Sequence, residues 1–426
     1  MSAVLEAPAA FAHPIVDDAF LADPYPAYRA LREAGPIHWS EEFFGGAWLL
    51  TRHADVEAVL RDAARFSAQR TGGWVKGNEA TPGELAGFQQ VFARALLFLD
   101  APDHARLRKA LNVGFRPERL QRLLPHMEGL TAALLDAVDP DAGFDFMQAV
   151  ARPLPMRVMA ALLGIEAETH EAFTAWSDDL SAFIGAPMPT RELARRAQAS
   201  LLAMTRYFDE RLPHKRRQPG DDLLSLLAQA EATGEIEGGA ELLAQCAMLL
   251  FAGHETTRNL LGNGLRALLD HPDQWQRLQR EPALLPAAVR ELLRYDSPVQ
   301  YTGRRVATDL MLHGRLLRRG DLVVPLIGAA NRDPVRFADP DRLDIARDGG
   351  ASLSFGSGPH VCIGAALTRM EAETVFGALA RRWPDLRAVG GPARWSGNPV
   401  YRGLATLKVQ APSFDTRSGR RRTRSA

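Results

Sequence analysis

The feature that most constrains this chain of 426 residues is the helical spacing of its apolar side chains. Apolar residues recur at helical intervals in LADPYPAYRALREAG (21–35), RPERLQRLLPHMEGLTAALLDAV (116–138), TRELARRAQASLLAMTRYFDERL (190–212) and ELLAQCAMLLFAGHETTRNLLGNGLRALLDH (241–271). Strand patterns are short and few: GAWLLT near Trp48, DLMLHGRLLRRGDLVVPL from Asp309 to Leu326, and LATLKVQ near the C-terminus. The sequence therefore predicts a mainly α protein with small β-sheets.

Charge and hydropathy exclude several classes of protein. Lys and Arg total 51, and Asp and Glu also total 51, so the whole chain carries no basic footprint for nucleic acid. The longest apolar runs, such as AMLLFAG (247–253), fall far below the ~18 residues that a membrane span requires. The start, MSAVLEAPAAFAHP, lacks the basic residues and apolar run of a secretory signal. We therefore expect a cytoplasmic protein that binds neither nucleic acid nor a membrane.

The chain has only two cysteines, Cys246 and Cys362, and no CxxC motif, so a disulfide framework is excluded. Cys246 lies on the apolar face of a helical pattern and is predicted to be part of the core. Cys362 stands in GPHVCIGAAL, just before the helical pattern IGAALTRMEAETVFGALARRW. Free N–H groups at a helix N-terminus favour an anion, and the glycines Gly356, Gly358 and Gly364 would let a large flat group approach the backbone.

Three chemistries can use a thiolate in this position. A nucleophile would need a base, for which His360 is available; zinc would need about three further ligands; a haem iron needs a single thiolate. An unreactive buried cysteine is the fourth interpretation. The loop by itself leaves these alternatives open.

Two further patterns carry polar residues on helices. In AGHETT (252–257), the Thr256 hydroxyl can bond the Ala252 carbonyl four residues earlier, and with Glu255 it would form a polar notch in an otherwise apolar helix. A solvent-facing turn is the alternative, because such residues are mostly exposed. In ELLR, Glu291 and Arg294 share one helix face, which is typical of a weak surface pair.

The segment FGSGPHVCIG (355–364) resembles the haem-binding loop of the cytochrome P-450 superfamily. AGHETT, ELLR and several other segments also resemble segments of that family and occur in the same order along the chain. The resemblance covers about residues 17–412, leaving residues 1–16 as an N-terminal segment expected to be flexible and residues 413–426 as a basic tail expected to be disordered. It implies a single cytochrome P-450 fold with the haem between the long central helix and the helix after the cysteine loop. The implied cofactor is haem b, iron protoporphyrin IX, with Cys362 as the iron ligand.

The resemblance also implies roles for individual residues. Glu255 and Thr256 are expected to guide protons near the haem. The residues expected to contact the cofactor are His104, Arg108, Ala252, Arg305, Phe355, Gly356, His360 and Gly364. Arg305 is preferred over Arg304 for a haem propionate because of the family's Arg-x-Ala spacing. Glu291 and Arg294 are expected to form a buried structural network with Arg342.

The implied function is a haem-thiolate monooxygenase that inserts one oxygen atom from O2 by hydroxylation or epoxidation. Electrons are expected from NAD(P)H through a ferredoxin reductase and a ferredoxin, with a basic docking patch formed by Arg106, Lys109, Arg116 and Arg119, and the protein is expected to be a monomer. The residues expected around the substrate are Phe183, Leu249, Val299, Val400 and Tyr401, with the stretches 71–98 and 299–301. Because most are apolar, we expect a medium-sized hydrophobic substrate, either in secondary metabolism or in catabolism. A peroxygenase and a non-enzymatic haem sensor are the alternatives.

Overall fold

The computed structural model describes residues 16–70, 86–187, 189–350 and 352–412. Its helices within these ranges are α1 Asp18–Ala22, α2 Tyr25–Ala34, α3 His53–Arg61, α4 Ala86–Phe92, α5 Asp103–Asn112, α6 Pro117–Asp136, α7 Pro153–Leu163, α8 His170–Gly185, α9 Arg191–Arg217, α10 Leu223–Ala232, α11 Gly238–Asp270, α12 Pro272–Arg280, α13 Leu285–Tyr295, α14 Ile327–Ala330 and α15 Ala365–Arg382. Residues 71–85 of the stretch expected to surround the substrate, and nearly all of the two terminal segments, lie outside the described residues.

The strands are short. They are β1 Ile37–Ser40, β2 Ala47–Leu50, β3 Phe66–Ser67, β4 Phe144–Asp145, β5 Arg304–Val306, β6 Leu310–Leu312, β7 Arg315–Leu317, β8 Leu322–Pro325, β9 Arg387–Ala388, β10 Arg394–Trp395, β11 Leu404–Thr406 and β12 Lys408–Gln410. The largest sheet has the order β1-β2-β8-β5-β3, and only its β2 and β8 pair is parallel. The mainly α architecture with small sheets that the sequence predicts is thus confirmed.

Local chemistry explains where the predicted helices begin and end. Pro24 separates α1 from α2, because proline removes a backbone donor and suits only the start of a helix. The Thr190 side chain caps α9 by accepting a hydrogen bond from the Leu193 N–H at 3.2 Å. Gly164 ends α7 in the left-handed conformation, with φ of 71°. These signals are local, which is why the sequence locates the helices well.

Helix α11 is the central element and packs closely on its neighbours. A Cβ on Gly253 would lie 2.5 Å from Met159 Sδ of α7, and a Cβ on Gly264 would lie 2.7 Å from Phe376 Cζ of α15. The Thr257 and Thr368 hydroxyls, 3.3 Å apart, join α11 to α15. These contacts fix α11 beside the helix that follows Cys362, and so they position the site.

No helix in the described parts of the chain combines the length and the apolar character needed to cross a bilayer.

Candidate active site

A large cavity lies between α11, the loop that carries Cys362, and strand β5. Its walls include Ala252, Glu255 and Thr256 from α11 and Phe355, Gly356, His360 and Cys362 from the loop. The structure therefore brings two motifs together that are separated by about a hundred residues in sequence. Apart from a few charged and hydroxyl groups, the lining is aliphatic and aromatic, as in most sites for small organic ligands.

The cysteine loop is closed by its own backbone. The Cys362 N–H donates to the Phe355 carbonyl at 2.8 Å, and residues Gly358–His360 form one turn of 3-10 helix between them. Cys362 is exposed toward the cavity, and α15 begins three residues later, as the sequence predicts. Burial of the thiol from bulk water raises its pKa, whereas the Gly364 N–H, Arg108 and Arg369 lower it. These groups favour the thiolate form of Cys362 and partly offset the effect of its burial.

The loop glycines are required by the backbone conformation and packing of the loop, apart from any ligand. Gly356 and Gly358 both have φ of 73°, a conformation that side chains rarely adopt. A Cβ on Gly358 would also lie 2.7 Å from Arg61 Cα at the end of α3. The expectation that Gly358 makes room for a flat group is therefore revised, because its space is filled by the protein backbone.

A cluster of positive and ring nitrogen groups lies beside the loop. The His104 and His360 ring centroids are 4.0 Å apart, and His104 Nε2 is buried without a hydrogen-bond partner among the described residues. Burial lowers the pKa of His360 to about 3, assisted by Arg304, His104, Arg70 and Arg108. Arg108 Nη1 also donates to the Val361 carbonyl at 2.6 Å, next to Cys362. A cationic cluster of this kind requires anions.

The side chains of Arg304 and Arg305, the two arginines of β5, point in different directions. Arg304 is buried, its burial lowers its pKa to about 10, and its charge acts on both His104 and His360. Arg305 also borders the cavity, but its Nη1 donates to the Gly320 carbonyl at 2.8 Å in an exposed position. Because successive side chains of a strand point to opposite faces, only one can belong to the cluster. The structure favours Arg304, so the preference for Arg305 is corrected.

The α11 notch forms as the sequence predicts. Thr256 Oγ1 donates to the Ala252 carbonyl at 3.1 Å, and both residues line the cavity. Glu255 is 2% exposed, and its carboxylate accepts from Arg258 at 2.5 Å and from Asn259 at 3.2 Å. Burial raises the pKa of Glu255, while Arg258 lowers it. The solvent-facing alternative is thereby excluded for Glu255.

Ion pairs connect Glu255 to the surface. Arg258 also donates to Asp178 Oδ1 at 3.0 Å, and Asp178 pairs with Arg152. The exposed fraction of the side chain rises along this series, from 2% at Glu255 to 13% at Arg258 and 34% at Asp178. No sequence signal points to Asp178, which lies on α8. His254, in contrast, contacts the Arg152 carbonyl and is fully buried away from the cavity lining.

The Glu291 network is buried, but one of its predicted members is wrong. Arg294 donates to both Glu291 oxygens at 2.7 and 2.8 Å, and Arg347 Nε donates to Glu291 Oε1 at 3.0 Å. The Arg342 side chain is 65% exposed and lies 3.6 Å from Asp344. Only the backbone carbonyl of Arg342 takes part, accepting from Arg294 and Arg347. The third arginine is Arg347.

Four of the predicted substrate residues line the cavity, namely Leu249, Val299, Val400 and Tyr401. Phe183 does not, because its ring packs edge-on against Phe88 at 4.8 Å, and its neighbour Ile184 lines the cavity instead. The helical register of α8 decides between these neighbours. The lining also includes Tyr301, the last residue of the predicted stretch 299–301, and Arg70, which sequence reasoning missed.

The predicted basic docking patch is partly neutralised. Arg106 pairs with Glu241 at 2.7 Å, and Arg119 pairs with Asp221 at 2.8 Å. Lys109 and Arg116 are exposed and form no ion pair with a described residue. Of the four predicted cations, these two remain available to a partner.

These features fit an iron porphyrin. Cys362 offers one ligand atom to the cavity, and the unpaired His104 Nε2 and the buried charge of Arg304 suit two propionate carboxylates. Ala252 is exposed in the cavity lining, so this part of the α11 wall is accessible. The donor set therefore matches a haem held by one thiolate.

Comparison with known proteins agrees with this match. The family model for cytochrome P450 matches residues 75–383. The chain is 39% identical over 401 residues to cytochrome P450 107B1 of Saccharopolyspora erythraea, covering 92% of this chain and 96% of that protein. It is 38% identical over 398 residues to the cytochrome P450 monooxygenase PikC of Streptomyces venezuelae, with 92% of each chain covered. The solved structure of the bacillaene polyketide synthase cytochrome P450 PksS of Bacillus subtilis 168 superposes with a TM-score of 0.83 at 33% identity, covering 94% of this chain and 99% of that one.

Proposed function

This chain belongs to the cytochrome P450 family and is a haem-thiolate monooxygenase, and on that premise we propose that it oxidises a medium-sized, mostly hydrophobic organic substrate. One observation carries this proposal: Cys362 and the Ala252, Glu255 and Thr256 notch line the same cavity, whose remaining walls are largely apolar. When bound, the haem supplies the activation of dioxygen and the transfer of one oxygen atom to the substrate.

In this proposal Cys362 is the iron ligand, and the loop residues Phe355, Gly356 and Gly364 shape the backbone around it. His104, Arg108, Arg304 and His360 bind the propionates, because they form a cationic cluster with too little negative charge nearby. Burial lowers the pKa of both imidazoles, and a carboxylate beside them would raise it.

Thr256 and Glu255 guide protons toward the oxygen-activation site. The Thr256 hydroxyl lies in the cavity wall, and the raised pKa of Glu255 makes its carboxyl group a better proton donor near neutral pH. Arg258 and Asp178 extend this pair toward the surface through the graded ion pairs described above. Because a guanidinium keeps its proton, Arg258 orients the Glu255 carboxyl group on the side away from the substrate space, and Glu255 and Thr256 are the groups that transfer protons.

The lining supports oxidation of a hydrocarbon-rich compound, by hydroxylation or epoxidation. Secondary metabolism is the setting we favour, since the chain resembles PksS, a polyketide synthase cytochrome P450. A peroxygenase would need no acid and alcohol pair for proton delivery, so Glu255 and Thr256 argue for the monooxygenase. We propose that electrons come from NAD(P)H through a reductase and a ferredoxin.

The reduced carbon-monoxide complex of the purified protein tests this assignment. The wild type should show the strong red shift that thiolate ligation produces, and Cys362→Ser should lose it. Cys246→Ala is the matched control, because Cys246 is fully buried in α11, away from the cavity lining. Absence of the shifted band from the wild type, or its persistence in Cys362→Ser, would refute the assignment.

A further inference from the structure

Arg70 is a cation in the cavity that the proposed haem contacts do not need. It follows β3 and lines the cavity, and no carboxylate of a described residue pairs with it. Its Nη1 donates to the Ala68 carbonyl at a long 3.4 Å, and its guanidinium carbon lies 4.8 Å from the Phe98 ring centroid. Burial lowers the pKa of Arg70 to about 9, so the side chain stays protonated at neutral pH. A charge withdrawn from water in this way requires an anion.

Two tyrosine hydroxyls lie near this cation. Tyr301 is 2% exposed, lines the cavity, and has a hydroxyl without a hydrogen-bond partner among the described residues. Its ring is fixed edge-on against Phe43 at 5.2 Å, as that of Tyr401 is against Phe251 at 5.8 Å. Burial raises the pKa of both tyrosines, so each phenol keeps its proton and can donate a hydrogen bond.

Arg70, Tyr301 and Tyr401 line the same cavity, and Tyr301 lies two residues before Gly303, which faces the Arg70 side chain. The charge of Arg70 acts on Tyr401, and Tyr401 in turn acts on Tyr301. Gly303 makes the space for the arginine, because a Cβ there would lie 3.0 Å from Arg70 Cδ and 3.3 Å from Leu322 Cδ1. A cation and two hydrogen-bond donors therefore line one largely apolar cavity.

The haem propionates do not require this set. Arg70 lies near this cluster, because its charge acts on His360 and that of Arg304 acts on Arg70, but His104, His360, Arg108 and Arg304 already provide four groups for two carboxylates. Tyr401 packs against Phe251 of α11 and is influenced by Glu255. The Arg70 and tyrosine set therefore extends to the part of the cavity near the α11 notch, where the substrate would lie.

We propose that Arg70, Tyr301 and Tyr401 bind the carboxylate of an amphipathic carboxylic-acid substrate whose apolar body occupies the rest of the cavity. This inference rests on the proposed function and names its substrate class. Aliphatic lining residues such as Leu96, Met248, Leu249 and Val299 suit the apolar body. Charge-assisted hydrogen bonds in a dry site are the strong ones, so the acid should be preferred to a neutral analogue.

The test compares acids with their primary amides, which have nearly the same shape but no charge. Octanoate, decanoate and dodecanoate, each with its amide, are titrated into the holoenzyme at neutral pH by calorimetry. At least one acid should bind about tenfold or more tightly than its amide. Arg70→Leu should abolish this preference, Arg70→Lys should keep part of it, and Tyr301→Phe should reduce it several-fold. Arg65→Leu, which removes an exposed arginine from the same segment, should leave it unchanged.

Haem content and the reduced carbon-monoxide spectrum are recorded for every variant. The inference is overturned if no acid binds more tightly than its amide in a wild type with the thiolate band, or if Arg70→Leu weakens both probes equally. It is also overturned if Arg70→Leu loses haem, because Arg70 would then serve a propionate. A wild type that lacks the thiolate band contradicts the proposed function instead.

Discussion

Glu371 is a buried carboxyl group in α15, and neither of its side-chain oxygens has a hydrogen-bond partner among the described residues. Burial raises its pKa well above the ordinary 4.5. The folded protein therefore holds this proton at a pH at which the unfolded chain has released it. The free energy of unfolding is therefore highest, as far as Glu371 is concerned, below the pKa of this group in the unfolded chain. It falls as the pH rises from that value toward the higher pKa of Glu371 in the folded protein.

Glu371→Gln should therefore stabilise the protein increasingly as the pH rises above the unfolded pKa. The difference in unfolding free energy between the variant and the wild type should grow by about 1.4 kcal/mol for each pH unit within this window, because glutamine does not titrate. Urea unfolding of both proteins at several pH values measures it. A difference that does not change with pH would contradict the neutral state of Glu371.

Thr256→Ala should separate electron consumption from product formation. The change removes the hydroxyl in the cavity wall but leaves the apolar packing, so the fraction of electrons recovered in product should fall about tenfold or more, with hydrogen peroxide released. The ratio of product to NAD(P)H and the peroxide yield measure this.

Thr257→Ala is the matched control on the same turn of α11. Thr257 is fully buried outside the cavity lining, and its hydroxyl contacts Thr368 of α15. Its loss should lower stability and leave coupling near the wild-type value. Equal uncoupling in both variants would remove Thr256 from the proposed proton route.

At the scale of elements, one buried network joins α13 to the irregular segment before the cysteine loop. Glu291 and Arg294 of α13 lie with Arg347, whose guanidinium also donates to the backbone carbonyls of Ala338, Asp339 and Arg342. The segment lacks regular secondary structure, so these side-chain bonds satisfy its backbone groups. The network thereby holds the chain that leads into the Cys362 loop.

Arg347→Ala should destabilise the protein by about 3 kcal/mol, because it leaves Glu291 with one buried partner fewer and several carbonyl groups without a donor. Arg342→Ala is the matched control and should change stability by no more than about 0.5 kcal/mol, since its side chain is exposed. Urea unfolding of the holoenzyme variants measures both. A larger effect at Arg342 would show that the family pattern, and not the contact geometry, identifies the third arginine.

At the scale of the whole molecule, the proposed function requires electrons to reach the cysteine side from a partner protein. Val361, beside Cys362, is exposed, and its carbonyl accepts from Arg108. Lys109 and Arg116 follow Arg108 in the chain as exposed cations without ion pairs to described residues. Opposite charges steer encounter between proteins, and their effect weakens as salt screens them. An acidic ferredoxin would suit this surface.

Lys109→Glu combined with Arg116→Glu should lower ferredoxin-supported turnover several-fold at low salt and leave peroxide-driven turnover unchanged. Steady-state rates with each electron source, at low and high salt, measure this. Arg122→Glu serves as the control, because Arg122 is a surface cation that already faces Asp221. Equal loss with ferredoxin and with peroxide would show damage to the site instead of to docking.

The features that could be predicted from the sequence alone depend mostly on local patterns in the chain. Apolar spacing located α6, α9 and α11, and the glycine-rich cysteine loop with its following helix identified the family and hence the haem chemistry. These features depend on residues close together in the chain, where helical periodicity, capping and backbone freedom act directly.

Only the tertiary structure decided which neighbouring side chains meet. Arg304 and not Arg305 joins the histidines, Arg347 and not Arg342 reaches Glu291, and Ile184 and not Phe183 lines the cavity. In each case two similar residues lie close together in the chain, and the direction of a side chain depends on how its strand, helix or loop packs. The placement of Arg70, Tyr301 and Tyr401 around one cavity has the same origin, because the positions of residues hundreds of places apart in the chain are set by packing and leave no local pattern.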